Sequence, residues 1–132
     1  MAARTEPVIF LDTHVVAWLF DAMVTSLSQA AEQAIEQAPA LAVSPMVRLE
    51  LKYLHEIGRI RAAPEEILAE LRQSIGLKET DTALGKIIDA AIEIDWTRDT
   101  FDRLIVAEAK SLNAGLVTKD GRIREHYALA IW

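Results

Sequence analysis

Three short runs of strand-forming residues, separated by amphipathic stretches, limit this chain to a small set of folds. They are Val8–Leu11, Leu41–Val43 and Leu116–Thr118. Runs of this length bounded by turn residues are typical of buried strands rather than helices. Strands that alternate with helices favour a parallel sheet wound by right-handed crossovers. The sequence therefore predicts an α/β protein with a parallel sheet.

Capping and breaking residues predict where the helices lie. Ser26 and Gln29 have the spacing of a capping box, Asp81 or Thr82 is expected to cap a later helix, and Asp99 another. The predicted helices cover residues 14–20, 26–37, 45–57, 64–76, 81–91, 100–113 and 122–127. A closing strand is expected at residues 129–131.

Length and composition favour one compact domain. The chain has 132 residues, of which 52% are apolar, and no cysteine. Disulfides and thiolate metal sites are therefore excluded, which fits a reducing cytoplasm. The segment Met1–Pro7 lacks the apolar stretch of a signal peptide, and the run Val15–Phe20 is too short to span a bilayer. We expect a single domain over residues 1–132, with residues 1–6 as a flexible tail, no membrane segment and a cytoplasmic location.

Four acidic residues stand where stability alone would not place them: Asp12, Glu50, Asp102 and Asp120. Glu50 is the most informative, because it falls near the middle of the apolar arc of the helix predicted at 45–57. A carboxylate buried alone costs several kcal/mol or takes up a proton. The likeliest partner for Glu50 is thus a cation held together with other acids.

The predicted topology brings these acids together. Asp12 and Asp120 follow strands, and Glu50 and Asp102 lie in the first two turns of helices. In open parallel sheets, ligands bind beyond the carboxyl ends of the strands. Oxygen ligands without Cys or clustered His suit Mg²⁺ or Mn²⁺, which can polarise a phosphodiester and activate water for in-line hydrolysis.

The net charge of −6 looks unfavourable for binding nucleic acid. Divalent cations would compensate the four acids, however, and several basic residues lie close to them in sequence. Arg103 and Lys119 are candidates for contacts with nucleic-acid phosphates. The total charge therefore does not decide between partners.

The ordered motifs resemble those of PIN-domain proteins, more narrowly the VapC-type toxin ribonucleases. The matching segments are residues 9–14 (IFLDTH), 47–51 (VRLEL), 98–107 (RDTFDRLIVA) and 116–120 (LVTKD). Their order and spacing extend over essentially the whole chain. Two positions depart from the family pattern: Thr100 replaces a frequent proline, and Glu108 replaces a neutral polar residue. We expect Glu108 either to pair with a basic residue or to lie at an interface.

The resemblance implies an α/β/α three-layer sandwich with a single PIN-like domain, and Mg²⁺- or Mn²⁺-dependent cleavage of RNA. It also implies a cognate antitoxin protein and, frequently, a homodimer. By the same resemblance Asp12, Glu50, Asp102 and Asp120 would be the catalytic metal ligands. Asp120 would often act through water, with Thr118 supporting it. From its position alone, Thr13 is expected to orient Asp12 rather than simply to cap the next helix, and Asp99 is expected to cap its own helix, where it could also hold a water beside the ion.

Each acid also has a purely structural interpretation. Asp12 could cap a helix, and Asp120 before Gly121 could belong to a turn. Asp102 could be an acid in the first turn of a helix, where the helix dipole stabilises negative charge. His14 is interpreted as a packing or surface residue. Trp18 and Trp96 are interpreted as core or interface aromatics. The joint pattern favours the nuclease interpretation over a non-catalytic RNA- or protein-binding module and over a small phosphatase, whose motif is missing.

Overall fold

The computed structural model describes residues 7–132, so the tail predicted at residues 1–6 lies outside the described residues. The strands are β1 Val8–Leu11, β2 Ala40–Val43, β3 Lys78–Glu79, β4 Gly115–Val117 and β5 Ala130–Ile131. The helices are α1 Thr13–Phe20, α2 Gln29–Gln37, α3 Pro45–Glu56, α4 Pro64–Ile75, α5 Leu84–Ile92, α6 Thr100–Ser111 and α7 Gly121–His126. A 3₁₀ turn covers Val24–Ser26.

The strands form one parallel sheet in the order β3-β2-β1-β4-β5, which confirms the predicted fold class. Strands β2 and β3 are added on one side of β1, and strands β4 and β5 are added on its other side. Right-handed crossovers consequently place helices on both faces of the sheet, which gives three layers. The strand order reverses between β1 and β4. A reversal of this kind opens a crevice at the carboxyl edge, where ligands bind in such folds.

The core surrounds the two central strands. Phe10 and Leu11 of β1 and Leu116 and Val117 of β4 are fully buried. Helices contribute further fully buried side chains, among them Val15, Val47, Leu51, Ile67 and Ile105. Each such side chain contributes about 1.5–3 kcal/mol through the hydrophobic effect. Within residues 7–132 no helix is both long and apolar enough to cross a membrane.

The start of α2 differs from the prediction. Ser28, rather than Ser26, caps this helix, and its hydroxyl accepts a hydrogen bond from the Ala31 N–H at 3.1 Å. Ser26 belongs instead to the preceding 3₁₀ turn. The capping-box spacing of Ser26 and Gln29 was therefore misleading, because a second serine lies two residues further on.

Two features around the sheet edge were also not predicted. Strand β3 consists of Lys78 and Glu79, which are both exposed and carry no apolar pattern. Neither Asp81 nor Thr82 caps α5, because the N-cap position is Ala83 and has no side-chain hydrogen bond. The Thr82 hydroxyl donates instead to a buried carboxylate of α6.

Candidate active site: an acidic pocket at the carboxyl edge of the sheet

Asp12 is fixed where β1 ends. The register pairs Leu11 with Val117, so the next residues, Asp12 and Thr118, lie side by side. The Thr118 hydroxyl donates to Asp12 Oδ2 at 2.7 Å, and the Thr13 N–H donates to Oδ1 at 2.8 Å. Burial raises the pKa of the Asp12 carboxyl, and these two hydrogen bonds oppose the rise. Asp12 is therefore both the N-cap of α1 and a buried acid aimed at the crevice.

Glu50 reaches the same crevice from the second turn of α3. The Thr13 hydroxyl donates a hydrogen bond to Glu50 Oε1, so Thr13 connects the two acids: its N–H binds Asp12 and its hydroxyl binds Glu50. Glu50 is half-buried, and this burial raises its pKa, with a further rise from the charge of Asp12. Thr13 thus supports both carboxylates.

Asp99 and Asp102 enter from the start of α6. Asp99 is the N-cap, and its Oδ1 accepts a hydrogen bond from the Asp102 N–H at 3.0 Å. Burial raises the pKa of Asp102 to about 7, and the negative charges of Asp12 and Asp99 add to the effect. An acid with this pKa is half-protonated at neutral pH. Burial, with the repulsion of neighbouring acids added to it, thus favours the neutral form of Asp102.

Asp120 completes the cluster from the turn after β4. Its N–H donates to the Thr118 hydroxyl at 3.1 Å, so Thr118 links Asp120 to Asp12. Asp120 Oδ1 accepts hydrogen bonds from the N–H groups of Arg122 and Ile123 and thereby caps α7. The two capping hydrogen bonds use Oδ1 of Asp120. The capping role is therefore compatible with a metal contact through Oδ2.

These acids line one open pocket of about 350 Å³. Its walls are formed by Asp12, His14, Trp18, Glu50, Asp99, Asp102, Lys119 and Asp120. A groove of similar size, about 380 Å³, lies beside β3, but there Arg48 and Glu79 pair with each other at 2.6 Å. That groove is lined by three basic residues and one acid, which Arg48 already pairs, whereas the acidic pocket holds five acids against one lysine. The acidic pocket is therefore the candidate site.

The chemistry of the pocket fits a hydrated divalent cation. Half-buried carboxylates that raise one another's pKa need a compensating positive charge, and oxygen donors suit Mg²⁺ or Mn²⁺. Within residues 7–132, no three acidic, histidine or cysteine side chains are grouped closely enough to hold an ion by themselves. That spacing argues against an all-protein cage. It is compatible with Mg²⁺, which keeps several waters and takes one or two protein carboxylates.

The two basic candidates have different positions. Lys119 lines the acidic pocket, and its Nζ stands 5.8 Å from the ring centroid of Trp18. Arg103 does not line the pocket, and its Nε donates to the Ala91 carbonyl at 2.9 Å. Arg103 therefore connects α6 to the end of α5. Its predicted phosphate contact has no support from this geometry.

His14 and Trp18 are pocket residues that the sequence interpretation did not select. They lie four residues apart on α1, so they share the helix face that follows Asp12 into the pocket. The spacing could have predicted that His14 and Trp18 lie near the acids, because Asp12 caps the same helix. Trp18 was instead interpreted as a core or interface residue, and His14 as a packing or surface residue.

Glu108 matches neither of its expected roles. It is fully buried in α6, and its Oε2 accepts hydrogen bonds from the hydroxyls of Thr80 and Thr82, the latter at 2.9 Å. Its Oε1 has no hydrogen-bond partner among the described residues. Glu108 thus holds the loop between β3 and α5 against α6.

Comparison with known proteins agrees with this geometry. The model of the PIN domain family matches residues 9–129. The chain belongs to the PIN domain family. It is 37% identical over 123 residues to ribonuclease VapC22 of Mycobacterium tuberculosis, a match that covers 89% of this chain and 91% of that protein.

Solved structures share the fold of this PIN domain. VapBC2 from Rickettsia felis, bound to a DNA fragment from its promoter, has a chain that matches with a TM-score of 0.64 and 19% identity, covering 93% of this chain and 96% of its own. A toxin–antitoxin complex from Klebsiella pneumoniae matches with a TM-score of 0.61 and 15% identity, covering 94% and 96%. The fold is retained although most side chains differ.

Proposed function

We propose that this PIN domain is a metal-dependent endoribonuclease and the toxin of a type II toxin–antitoxin pair, acting in the cytoplasm. One observation carries the proposal: four acids line one pocket at the edge of the sheet where the strand order reverses between β1 and β4. They are Asp12, Glu50, Asp102 and Asp120. The ribonuclease relative, 37% identical over nearly its whole length, supports the same activity.

In this proposal Asp12, Glu50, Asp102 and Asp120 hold Mg²⁺ or Mn²⁺ directly or through water. The ion would polarise the scissile phosphodiester and lower the pKa of a water for in-line attack. Thr13 and Thr118 keep the Asp12 and Glu50 carboxylates oriented, and Asp99 fixes the start of α6. Asp102, with a pKa of about 7, must lose its proton before it can hold the ion.

The partners proposed for the chain are RNA, a cognate antitoxin and a second copy of itself. The matched structures are toxin–antitoxin assemblies, which supports an antitoxin partner here. A homodimer is supported by two exposed apolar stripes. The α3 stripe is Leu49 and Tyr53 with Ile57 at the C-cap of that helix, and the α5 stripe is Leu84, Ile88 and Ile92.

The activity is tested by incubating the purified protein with labelled single-stranded RNA and Mn²⁺, with and without chelator. We expect internal cleavage that the chelator abolishes. Asp12→Asn should lower the rate by at least about 100-fold, because an ion of this kind contributes several kcal/mol to the transition state. Asparagine is also a good N-cap, so α1 should survive the change.

The matched control is Asp89→Asn, an exposed acid of α5 outside the pocket. Its cleavage rate should equal that of the wild type. RNA binding without cleavage would instead favour a non-catalytic binding module. Full activity of Asp12→Asn would contradict the proposed site.

A further inference from the structure

The wall of the acidic pocket contains a tryptophan that the proposed hydrolysis does not use. Trp18 is half-buried on α1, and it lines the pocket together with Asp12 and Asp120. Metal binding and water activation need oxygen donors, not an indole ring. An aromatic ring in a charged, open pocket is thus available for a second kind of contact.

Neighbouring rings hold Trp18 without covering it by parallel stacking. The ring of His14 lies 6.2 Å from it at an angle of 47°, and the ring of Trp132 lies 6.0 Å away at 51°. Both arrangements are tilted, so neither ring lies flat against the indole. They fix the orientation of the indole, which reduces the entropy lost when a ligand stacks on it.

Lys119 adds a positive charge at the same place. Its Nζ stands 5.8 Å from the Trp18 ring centroid, and its backbone lies next to that of Asp120. A flexible ammonium group over an aromatic ring, beside a cation-binding pocket, can contact a phosphate while the ring accepts a base. Proteins that bind single-stranded nucleic acid combine these two contacts.

We propose that Trp18 and Lys119 form a nucleotide subsite in which Trp18 stacks on an unpaired base next to the scissile phosphate and Lys119 contacts a neighbouring phosphate. The proposal rests on the ribonuclease function above and specifies its substrate as RNA that is single-stranded at the cut. A base within a duplex is stacked on its neighbours and cannot offer its face to the indole.

Trp96 provides a matched control within the chain. It is also half-buried, but His126 stacks on it in parallel, with ring centroids 4.9 Å apart and an interplanar angle of 5°. It does not line the acidic pocket. Trp96→Leu removes an indole of similar burial from a site without the acids.

The experiment measures KM and kcat in Mn²⁺ for the wild type, Trp18→Leu, Trp18→Phe and Trp96→Leu. The substrates are a single-stranded RNA with one mapped cut, the same RNA with an abasic nucleotide on either side of the cut, and its duplex. A base–aromatic stack corresponds to at least about a fivefold change in affinity. We therefore expect Trp18→Leu to raise KM by at least about fivefold and Trp18→Phe to recover most of the loss.

The abasic substrates make the test specific. At one of the two positions, loss of the base should raise the KM of the wild type by about the same factor and should have no further effect in Trp18→Leu. Trp96→Leu should behave like the wild type, and the duplex should be a poor substrate. Equal KM values for wild type and Trp18→Leu on the intact RNA would overturn the subsite.

Failure of the subsite and failure of the nuclease assignment give different results. If the wild type does not cleave RNA, the same proteins are compared for binding to the labelled RNA by fluorescence anisotropy. Weaker binding by Trp18→Leu alone would reject the nuclease and leave Trp18 as a stacking contact for single-stranded RNA, without a cut beside it. Cleavage that is unaffected by Trp18→Leu would support the nuclease and reject the subsite, and absence of both cleavage and binding would reject both.

Discussion

At the scale of single residues, two threonines organise the acidic pocket. Thr118 donates to Asp12 Oδ2 and accepts from the Asp120 N–H, while the Thr13 hydroxyl donates to Glu50. Each threonine therefore links two acids that are far apart in sequence. These hydrogen bonds hold the carboxylates in place although their negative charges repel one another.

Removal of one threonine hydroxyl should reduce activity more than stability. Thr118→Val keeps the shape of the side chain but leaves Asp12 Oδ2 without its donor. Outer groups that orient metal ligands are typically worth 10- to 100-fold in metal affinity or activity, so we expect a loss of roughly that size. Cleavage rates and Mn²⁺ titration measure it. Ser111→Ala, which removes a half-buried hydroxyl outside the pocket that donates to the Glu108 carbonyl at 2.8 Å, is the control, and an equal loss there would contradict the specific role of Thr118.

Asp102 should make Mn²⁺ binding depend on pH. With a pKa of about 7, it is mostly protonated at pH 6 and ionised at pH 8. The cation binds the ionised form, so the Kd for Mn²⁺ should be about tenfold weaker at pH 6 than at pH 8. Calorimetric titration at both pH values measures this ratio. Asp102→Asn should bind more weakly but with a smaller ratio; an unchanged ratio would show that another group titrates.

The same group should affect the stability of the metal-free protein. The folded state holds the Asp102 proton more tightly than the unfolded state, whose pKa is near 3.8. Asp102 therefore leaves stability unaffected below about pH 4 and lowers it progressively as the pH rises to about 7. Asp102→Asn should raise Tm at pH 8 and change it little at pH 4. Thermal melts in chelator test this, and a lower Tm for the variant at pH 8 would contradict it.

At the scale of elements, α6 serves two functions. Its N-terminus presents Asp99 and Asp102 to the pocket, and its middle carries Glu108, which holds the loop between β3 and α5. Arg103 fastens the same helix to the end of α5 through the Ala91 carbonyl. These contacts fix the position of α6, and with it the positions of the two acids.

Loss of the Glu108 carboxylate should destabilise the protein. Glu108→Ala leaves the Thr82 hydroxyl without its acceptor and leaves Thr80 with the Val43 carbonyl at 3.3 Å. It also opens space in the core, and together these effects cost on the order of 2–4 kcal/mol. Urea unfolding measures the difference in free energy. Glu93→Ala is the matched control, because Glu93 is exposed and pairs with Lys110 at 3.4 Å, a contact that contributes about 0–1 kcal/mol. Equal effects of the two variants would contradict a stabilising role for the hydrogen bonds that Glu108 accepts from Thr80 and Thr82.

At the scale of the whole molecule, the acidic pocket and the exposed apolar stripes lie on connected elements. Tyr53 of the α3 stripe contacts Phe101, with ring centroids 6.1 Å apart, and Phe101 directly precedes Asp102. Glu50 lies on α3 itself, next to Leu49. A partner seated on the α3 stripe would therefore be close to the pocket entrance.

We expect the stripes on α3 and α5 to form the interface of a homodimer. Ile92→Glu places a charge at an exposed apolar position, so it should shift the protein from dimer to monomer. Light scattering coupled to size exclusion gives the molar mass. Met23→Glu, an exposed apolar residue outside both stripes, should leave the mass unchanged. A wild type that is monomeric at all concentrations would refute this expectation.

Much of the fold followed from local patterns. The parallel sheet was predicted from runs of apolar residues, and α3 and α6 begin at the predicted residues, Pro45 and Thr100, each directly after a side chain that caps the helix. The elements that were misplaced are those with weak local signals. Strand β3 has two exposed residues, and the start of α5 lacks a side-chain cap because Thr82 donates to Glu108.

The sequence by itself determined which acids could meet, because topology brings strand ends and helix starts to one edge of a parallel sheet. It did not determine what surrounds each acid. The tertiary structure decided that Thr13 and Thr118 bridge pairs of acids, that Arg103 binds a backbone carbonyl and that Trp18 faces the pocket. Hydrogen bonds and desolvation depend on atoms brought together from distant parts of the chain, and no local pattern encodes those distances.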